Sequence, residues 1–141
     1  MTDYRALAEE LLELRISMHL TPAARKLTDL DKGTFLALSD LLGQGVVHPK
    51  ELSRKMAISS ARVAALLNHM EREGMVVRTA DPGDNRQVIV SLTAYGRQLI
   101  ESRRNEAVRM LARALEELDP EEAESYLRIR RKLLNSFIQM E

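Results

Sequence analysis

Residues 51–75 read ELSRKMAISSARVAALLNHMEREGM, and this stretch decides the fold. Apolar side chains fall at Leu52, Met56, Ile58, Val63, Leu66, Leu67 and Met70. The spacing is i, i+4 in the first part and i, i+3, i+4, i+7 in the second, so each of two short helices gains one buried stripe. The helices meet at a tight turn near residues 57–59, and Ser59 and Ser60 open the second one. After so short a turn the second helix must cross the first steeply. That is the helix-turn-helix arrangement, whose second helix lies in the major groove of DNA. A bare helical hairpin fits the same spacing, so the stretch alone leaves two readings open.

The next residues separate them. Residues 75–79 (MVVRT) and 87–92 (QVIVSL) are rich in β-formers, and Val88, Val90 and Leu92 alternate with other positions as in a half-buried strand. Between them Ala80-Asp81-Pro82-Gly83-Asp84-Asn85-Arg86 is dense in turn-forming residues. The second helix spans residue 60 to about 73, with Gly74 as its C′ residue. A helix-turn-helix followed directly by a polar-tipped hairpin is a winged helix.

Outward from this module the chain is helical. Residues 4–20 form a stripe of Leu7, Leu11, Leu14 and Met18, widened by Ala8 and Leu12, and Thr21-Pro22 ends it. Residues 22–28 read as a connector. Thr28 or Asp29 caps a helix over roughly 29–42, whose face is Leu30, Phe35, Leu38, Leu41 and Leu42. Gly33 weakens that helix by about 1 kcal/mol relative to alanine, and Gly43-Gln44-Gly45 stops it. Val46-Val47 suits a minimal strand. His48, near the N-cap, and Pro49, in the first turn, begin the helix that runs to about 57. Downstream, Thr93 caps a helix over roughly 94–118, about 37 Å long. Asp119-Pro120-Glu121-Glu122 is a strong start for a last helix over 120–139, carrying Ala123, Tyr126, Leu127, Leu133, Leu134, Phe137 and Ile138.

The expected class is mostly α with a small β-wing: a winged helix-turn-helix flanked by N- and C-terminal dimerisation helices. Residues 1–28 and 94–141 form the dimerisation region, and residues 29–93 the DNA-binding domain. The outer stripes exceed what the small central module can cover. They are expected to pack against a second copy in a two-fold dimer through Leu7, Leu11, Leu14, Leu127, Leu134 and Phe137. A bundle within one chain is the alternative.

Composition narrows the function. Hydrophobic residues make up 45% of the 141 and aromatics 4%, with no Trp, so the core must be aliphatic. No run of about 18 apolar residues offers a membrane span. The N-terminus, MTDYRALAEELLELR, carries acids where a signal peptide would place basic residues, which points to the cytoplasm. The absence of Cys excludes disulfides, thiol redox sensing and Cys-ligated zinc. Net charge is zero, yet its distribution is uneven: residues 46–98 hold eight Lys/Arg against five Asp/Glu, between mildly acidic ends. A basic middle suits a DNA reader with separate dimerisation helices. Neither a Gly-rich phosphate loop nor a catalytic constellation is evident, so no enzyme is expected. His19, His48 and His69 lack metal-ligand spacing, so neither metal nor cofactor is expected.

At these residues the chain resembles the MarR family of multiple-antibiotic-resistance-type regulators. The matching pieces are Leu27-Thr28, Glu51-Leu52-Ser53 and Glu71-Arg72-Glu73-Gly74-Met75-Val76. The most specific is Arg78, then Asp81-Pro82-Gly83-Asp84-Asn85-Arg86, then Val90-Ser91-Leu92-Thr93 and Gly96. The resemblance spans nearly the whole chain. It implies a homodimeric transcriptional regulator, often a repressor, on a pseudo-palindromic operator in double-stranded DNA. In many members a small aromatic or lipophilic effector weakens DNA binding.

Ser59 and Ser60 suit a phosphate oxygen at the helix start, or simple capping. Arg62, one residue before the apolar Val63, should face outward, where it suits a guanine edge or is simply a solvated surface arginine. Asn68 shares a face with Ala61, Ala64 and Ala65 and can reach a base or phosphate, while His69 suits the DNA backbone or solvent. Many family members carry a polar pair where this chain has Ala64-Ala65. Alanines can meet a thymine methyl but form no hydrogen bonds, so readout falls more on Arg62 and the wing. By resemblance Arg86 enters the minor groove, held by Asp84; a local Asp–Arg turn pair is the alternative. Arg78 and Lys50 are candidate phosphate contacts. Arg15 and His19 would suit a carboxylate effector if they face the family's pocket, and are otherwise surface residues. Two rival functions stay open: a winged-helix protein-interaction module with its DNA face unused, and a regulator without a small-molecule ligand.

Overall fold

The structure, a computed structural model, describes residues 1–26 and 32–141. In chain order it has α1 (Tyr4–Leu20), α2 (Pro22–Lys26), α3 (Lys32–Gln44), β1 (Val46–Val47), α4 (Pro49–Met56), α5 (Ser60–Arg72), β2 (Val76–Asp81), β3 (Asp84–Leu92), α6 (Ala94–Leu115) and α7 (Pro120–Ile138). It is mostly helical, with one three-stranded antiparallel sheet in the order β1-β3-β2. Two compact units, Met1–Asn105 and Glu106–Glu141, divide it within α6.

The core of the first unit gathers Ala37, Leu38 and Leu41 from α3, Val47 from β1, Leu52 from α4, and Val63, Leu67 and Met70 from α5. Met75, Val76, Val90 and Ile100 complete it. Every fully buried apolar side chain in it is aliphatic, as composition required; Phe35 only packs against its edge. Even two-residue β1 is needed, because Val46 and Val47 pair with Ser91 and Val90 and Val47 is buried.

Helix ends explain the tight connections. At the end of α5, Gly74 adopts φ 76°. The Met75 N–H then reaches the Met70 carbonyl at 2.9 Å and the Gly74 N–H the Glu71 carbonyl at 3.0 Å, a Schellman closure. The turn between α4 and α5 uses the same device with alanine: Ala57 sits at φ 52°, ψ 45°, while the N–H groups of Ala57 and Ile58 reach the carbonyls of Arg54 and Ser53. Ser53 Oγ braces that turn by donating to the Ile58 carbonyl at 2.6 Å. Thr93 Oγ1 accepts the Gly96 N–H at 3.0 Å and donates to the Gly74 and Met75 carbonyls, anchoring the start of α6. A Cβ on Gly96 would overlap the Met75 carbonyl, so α6 approaches β2 this closely only at glycine.

Several expected boundaries shift. Residues 22–26 are helical, because Thr21 Oγ1 accepts the Ala24 N–H at 3.2 Å and Pro22 tolerates a first turn. The proposed cap at Thr28 or Asp29 and the side chain of Leu30 lie outside the described residues. α3 runs through Gly43 to Gln44, and only Gly45, at φ 85°, stops it. The strands reach almost to the hairpin tip: Ala80 pairs with Val88 and Asp81 with Asp84, leaving Pro82-Gly83 as the turn. Polar residues near the tip do not oppose pairing where both faces meet solvent. For the same reason Val88 is exposed, while Val90 is buried. α6 ends at Leu115 where residue 118 was expected, and 116–118 form turns. α7 starts as expected, with a full capping box between Asp119 and Glu122.

Candidate nucleic-acid interface

α5 turns Val63, Leu67 and Met70 into the core, which leaves Ala61, Arg62, Ala64, Ala65, Asn68 and His69 exposed on its other side. Ser59 is its N-cap, and its Oγ accepts the Arg62 N–H at 3.2 Å. Ser60 begins the helix and is exposed. The Arg62 side chain forms no ion pair among the described residues and is free to extend. Lys50 is exposed in the first turn of α4.

The wing lies beside this helix. Between them is an open groove of about 390 Å³, lined by Ser60, Ala64 and Leu67 of α5 and by Arg78, Thr79, Gln87 and Val88 of the wing. Ala64 is therefore a wall of the concave face, and its small side chain keeps the groove open. Exposed Val88 belongs to the facing wall, on the wing.

Arg78 ties the two walls together. Its Nε donates to Glu71 Oε2 at 2.9 Å and its Nη2 donates to Asn68 Oδ1 at 2.6 Å. The guanidinium beside Glu71 holds that carboxyl below its ordinary value, chiefly through the hydrogen bond. Two residues singled out separately in the sequence, Asn68 and Arg78, thus form one unit with Glu71, a residue not singled out as a site.

At the wing tip Arg86 is the extended group, its side chain 92% exposed. Asp84 Oδ1 accepts from both the Arg86 backbone N–H (3.1 Å) and its Nε (3.2 Å), so one carboxylate fixes the turn and aims the guanidinium.

His48 makes a link that its reading as a helix-start residue did not reveal. It occupies the N-cap of α4 but makes no capping hydrogen bond with its side chain. Its Nδ1 instead meets Glu51 Oε1 at 3.0 Å and its Nε2 meets Asp81 Oδ2 at 2.7 Å. Carboxylates only accept, so the imidazolium, with two donors, satisfies both contacts. The hydrogen bond to Asp81, then that to Glu51, raises the His48 pKa, and both carboxyls are correspondingly lowered. The Gly83 N–H also donates to Asp81, at 2.9 Å, so the hairpin turn is fastened to the start of α4. A histidine where Ser, Thr or Asp would normally cap is the one local hint of this link.

Arg15 and His19 lie on α1, a helix with no buried residue. Leu7, Leu11, Leu14, Leu127, Leu134 and Phe137 are all exposed. No described helix is long and apolar enough to cross a membrane.

Comparison with known proteins agrees with this geometry. The family model described as MarR family matches residues 26–87. A MarR family protein of known structure from Bacillus stearothermophilus is 30% identical, with 98% of this chain and 99% of that one covered and a TM-score of 0.82. The uncharacterized HTH-type transcriptional regulator YdgJ of Bacillus subtilis is 33% identical over 95 residues, 67% of this chain and 58% of that protein. BpsR of Bordetella bronchiseptica, whose DNA binding is regulated by 6-hydroxynicotinic acid, is 25% identical with a TM-score of 0.69 over 89% of this chain and 91% of that one. Matched along nearly its full length in sequence and fold, the chain belongs to the MarR family of winged helix-turn-helix transcriptional regulators.

Proposed function

We propose that the chain is a sequence-specific DNA-binding repressor that acts as a homodimer on a pseudo-palindromic operator. One observation carries this reading: the exposed face of α5 and the wing border a common groove, and Asp84 holds the wing-tip Arg86 outward. Arg62 reads a base edge in the major groove, Arg86 enters the minor groove, and Ser59, Ser60, Lys50 and His69 meet the phosphate backbone. Residues 29–93 form the DNA-binding domain, and 1–28 with 94–141 the dimerisation region. The exposed leucines and Phe137 of α1 and α7 are the surfaces a second copy would cover.

A small aromatic or lipophilic effector releases the DNA. The support is BpsR, which answers to a small aromatic acid. Arg15 and His19 are the cationic candidates for its carboxylate. Melting shifts with a panel of aromatic acids test this part: no shift with any of them removes it.

Gel-shift titration against the chain's own promoter tests the DNA reading. Arg86→Ala should leave the protein folded and weaken binding about fivefold to 150-fold, the scale of a lost groove contact worth about 1–3 kcal/mol. Unchanged affinity would remove the wing from the interface. Log affinity should also fall with log salt by about 0.9 per phosphate contacted; a flat response counts against DNA binding altogether.

A further inference from the structure

We propose that Asn68 reads the major groove as a hydrogen-bond donor alone, oriented by Arg78 and Glu71, and that it marks its operator position by rejecting cytosine instead of selecting adenine. This rests on the DNA-binding reading above.

A free asparagine pairs with adenine in bidentate fashion, accepting from N6 and donating to N7. Here the accepting half is engaged. Arg78 Nη2 donates to Asn68 Oδ1 at 2.6 Å, and a guanidinium has only donors, so the amide must turn its oxygen toward Arg78. Arg78 is held in turn by Glu71, whose Oε2 accepts from Nε at 2.9 Å. The second lone pair of the Asn68 oxygen stays beside this cation, which repels the amino hydrogens of an approaching adenine. What remains is the amide NH₂, which has no protein partner among the described residues and sits on an exposed part of α5.

That donor matters because its neighbours offer none. Ala61, Ala64 and Ala65 share its face of the helix. In the major groove guanine, adenine and thymine all present acceptors, whereas cytosine presents its N4 amino donor. A lone NH₂ therefore tolerates three bases and opposes one. Arg78 and Glu71 act as positioning residues for this choice.

Selection of the full-length protein on a randomised DNA library, followed by sequencing, tests the idea. The wild-type motif should contain one column per half-site in which cytosine is depleted about threefold to tenfold, the scale of one net hydrogen bond. Asn68→Ala should erase that depletion and leave the other columns intact. Asn68→Asp keeps an acceptor for Arg78, now as an ion pair, but replaces the outward donor with an acceptor; the column should invert toward cytosine. Arg78→Met frees the amide, and adenine should rise there. Thermal melting of each variant checks that it is folded, and Asn68→Asp carries the test if Arg78→Met is not. An adenine-specific wild-type column that Asn68→Ala erases, or no column that responds to Asn68→Asp, overturns the proposal. Failure of the wild type to select any motif is a different outcome, and it overturns the DNA reading as well.

Discussion

α1 and α5 carry apolar stripes of the same period and meet opposite fates. The 13-residue α5 buries Val63, Leu67 and Met70 beneath α3, α4 and the sheet. The 17-residue α1 buries nothing, and its Leu7, Leu11, Leu14 and Met18 face solvent. α7 behaves like α1, with Leu127, Leu134, Phe137 and Ile138 exposed. Periodicity states that a face needs cover, while burial shows whether this chain supplies it. The winged part is supplied from within, whereas the stripes of the terminal helices are left exposed.

Four experiments break or sharpen that contrast. The largest effect is expected on association. Leu11→Glu combined with Leu134→Glu should convert the protein to a monomer in sedimentation, because charges would enter a face that a second copy must desolvate. These side chains are exposed within one chain, so the winged unit should stay folded. Unaltered association would mean that the faces do not join copies. Next, Gly96→Ala strikes the self-sufficient half. Overlap with the Met75 backbone should cost about 1–3 kcal/mol in urea unfolding, and a loss under about 0.5 kcal/mol would contradict the close approach. Third, Ala57→Gly should stabilise the winged unit by about 1 kcal/mol, since the turn demands a left-handed conformation that alanine adopts at a cost. A destabilised variant would disprove strain at that turn.

The smallest effect concerns His48. Its pKa is raised from 6.5, so its contribution is complete below that value and is lost as pH climbs through the raised folded value. Asp81 and Glu51 are lowered from 3.8 and 4.5, so theirs are complete above those values and fade as pH falls through the lowered ones. The link is therefore strongest between pH 4.5 and 6.5 and loosens above. Melting temperature followed from pH 6 to 8 should fall less steeply in His48→Gln than in the wild type. Identical slopes would show that the link carries no weight.

Much of this was legible in the residues. The two-helix spacing at Leu52–Met56 and Val63–Met70, the alternation ending at Val90 and Leu92, and the capping box at Asp119 are local signals, and local geometry decides them. The short helix at Pro22–Lys26 was missed because a proline after a threonine reads as a stop, although the same threonine closes one helix and caps the next. Exposed Val88 was missed because alternation gives the face of a strand but not how far that face extends beyond the core. Contacts between distant residues were out of reach. His48 and Asp81 are 33 positions apart, Asn68 and Arg78 ten, and only the completed packing of α4, α5 and the hairpin brings them within hydrogen-bond range.

The fastening of Asp81 has a consequence for recognition. A hairpin held only by its own ladder would fluctuate at its tip, and a partner gripping it would have to bear the loss of that freedom. Here the imidazole of His48 tethers Asp81 to the start of a core helix, and the Gly83 N–H ties the turn to the same carboxylate. Ordering at the turn is met during folding, so any partner that grips the tip retains more of its contact energy as affinity.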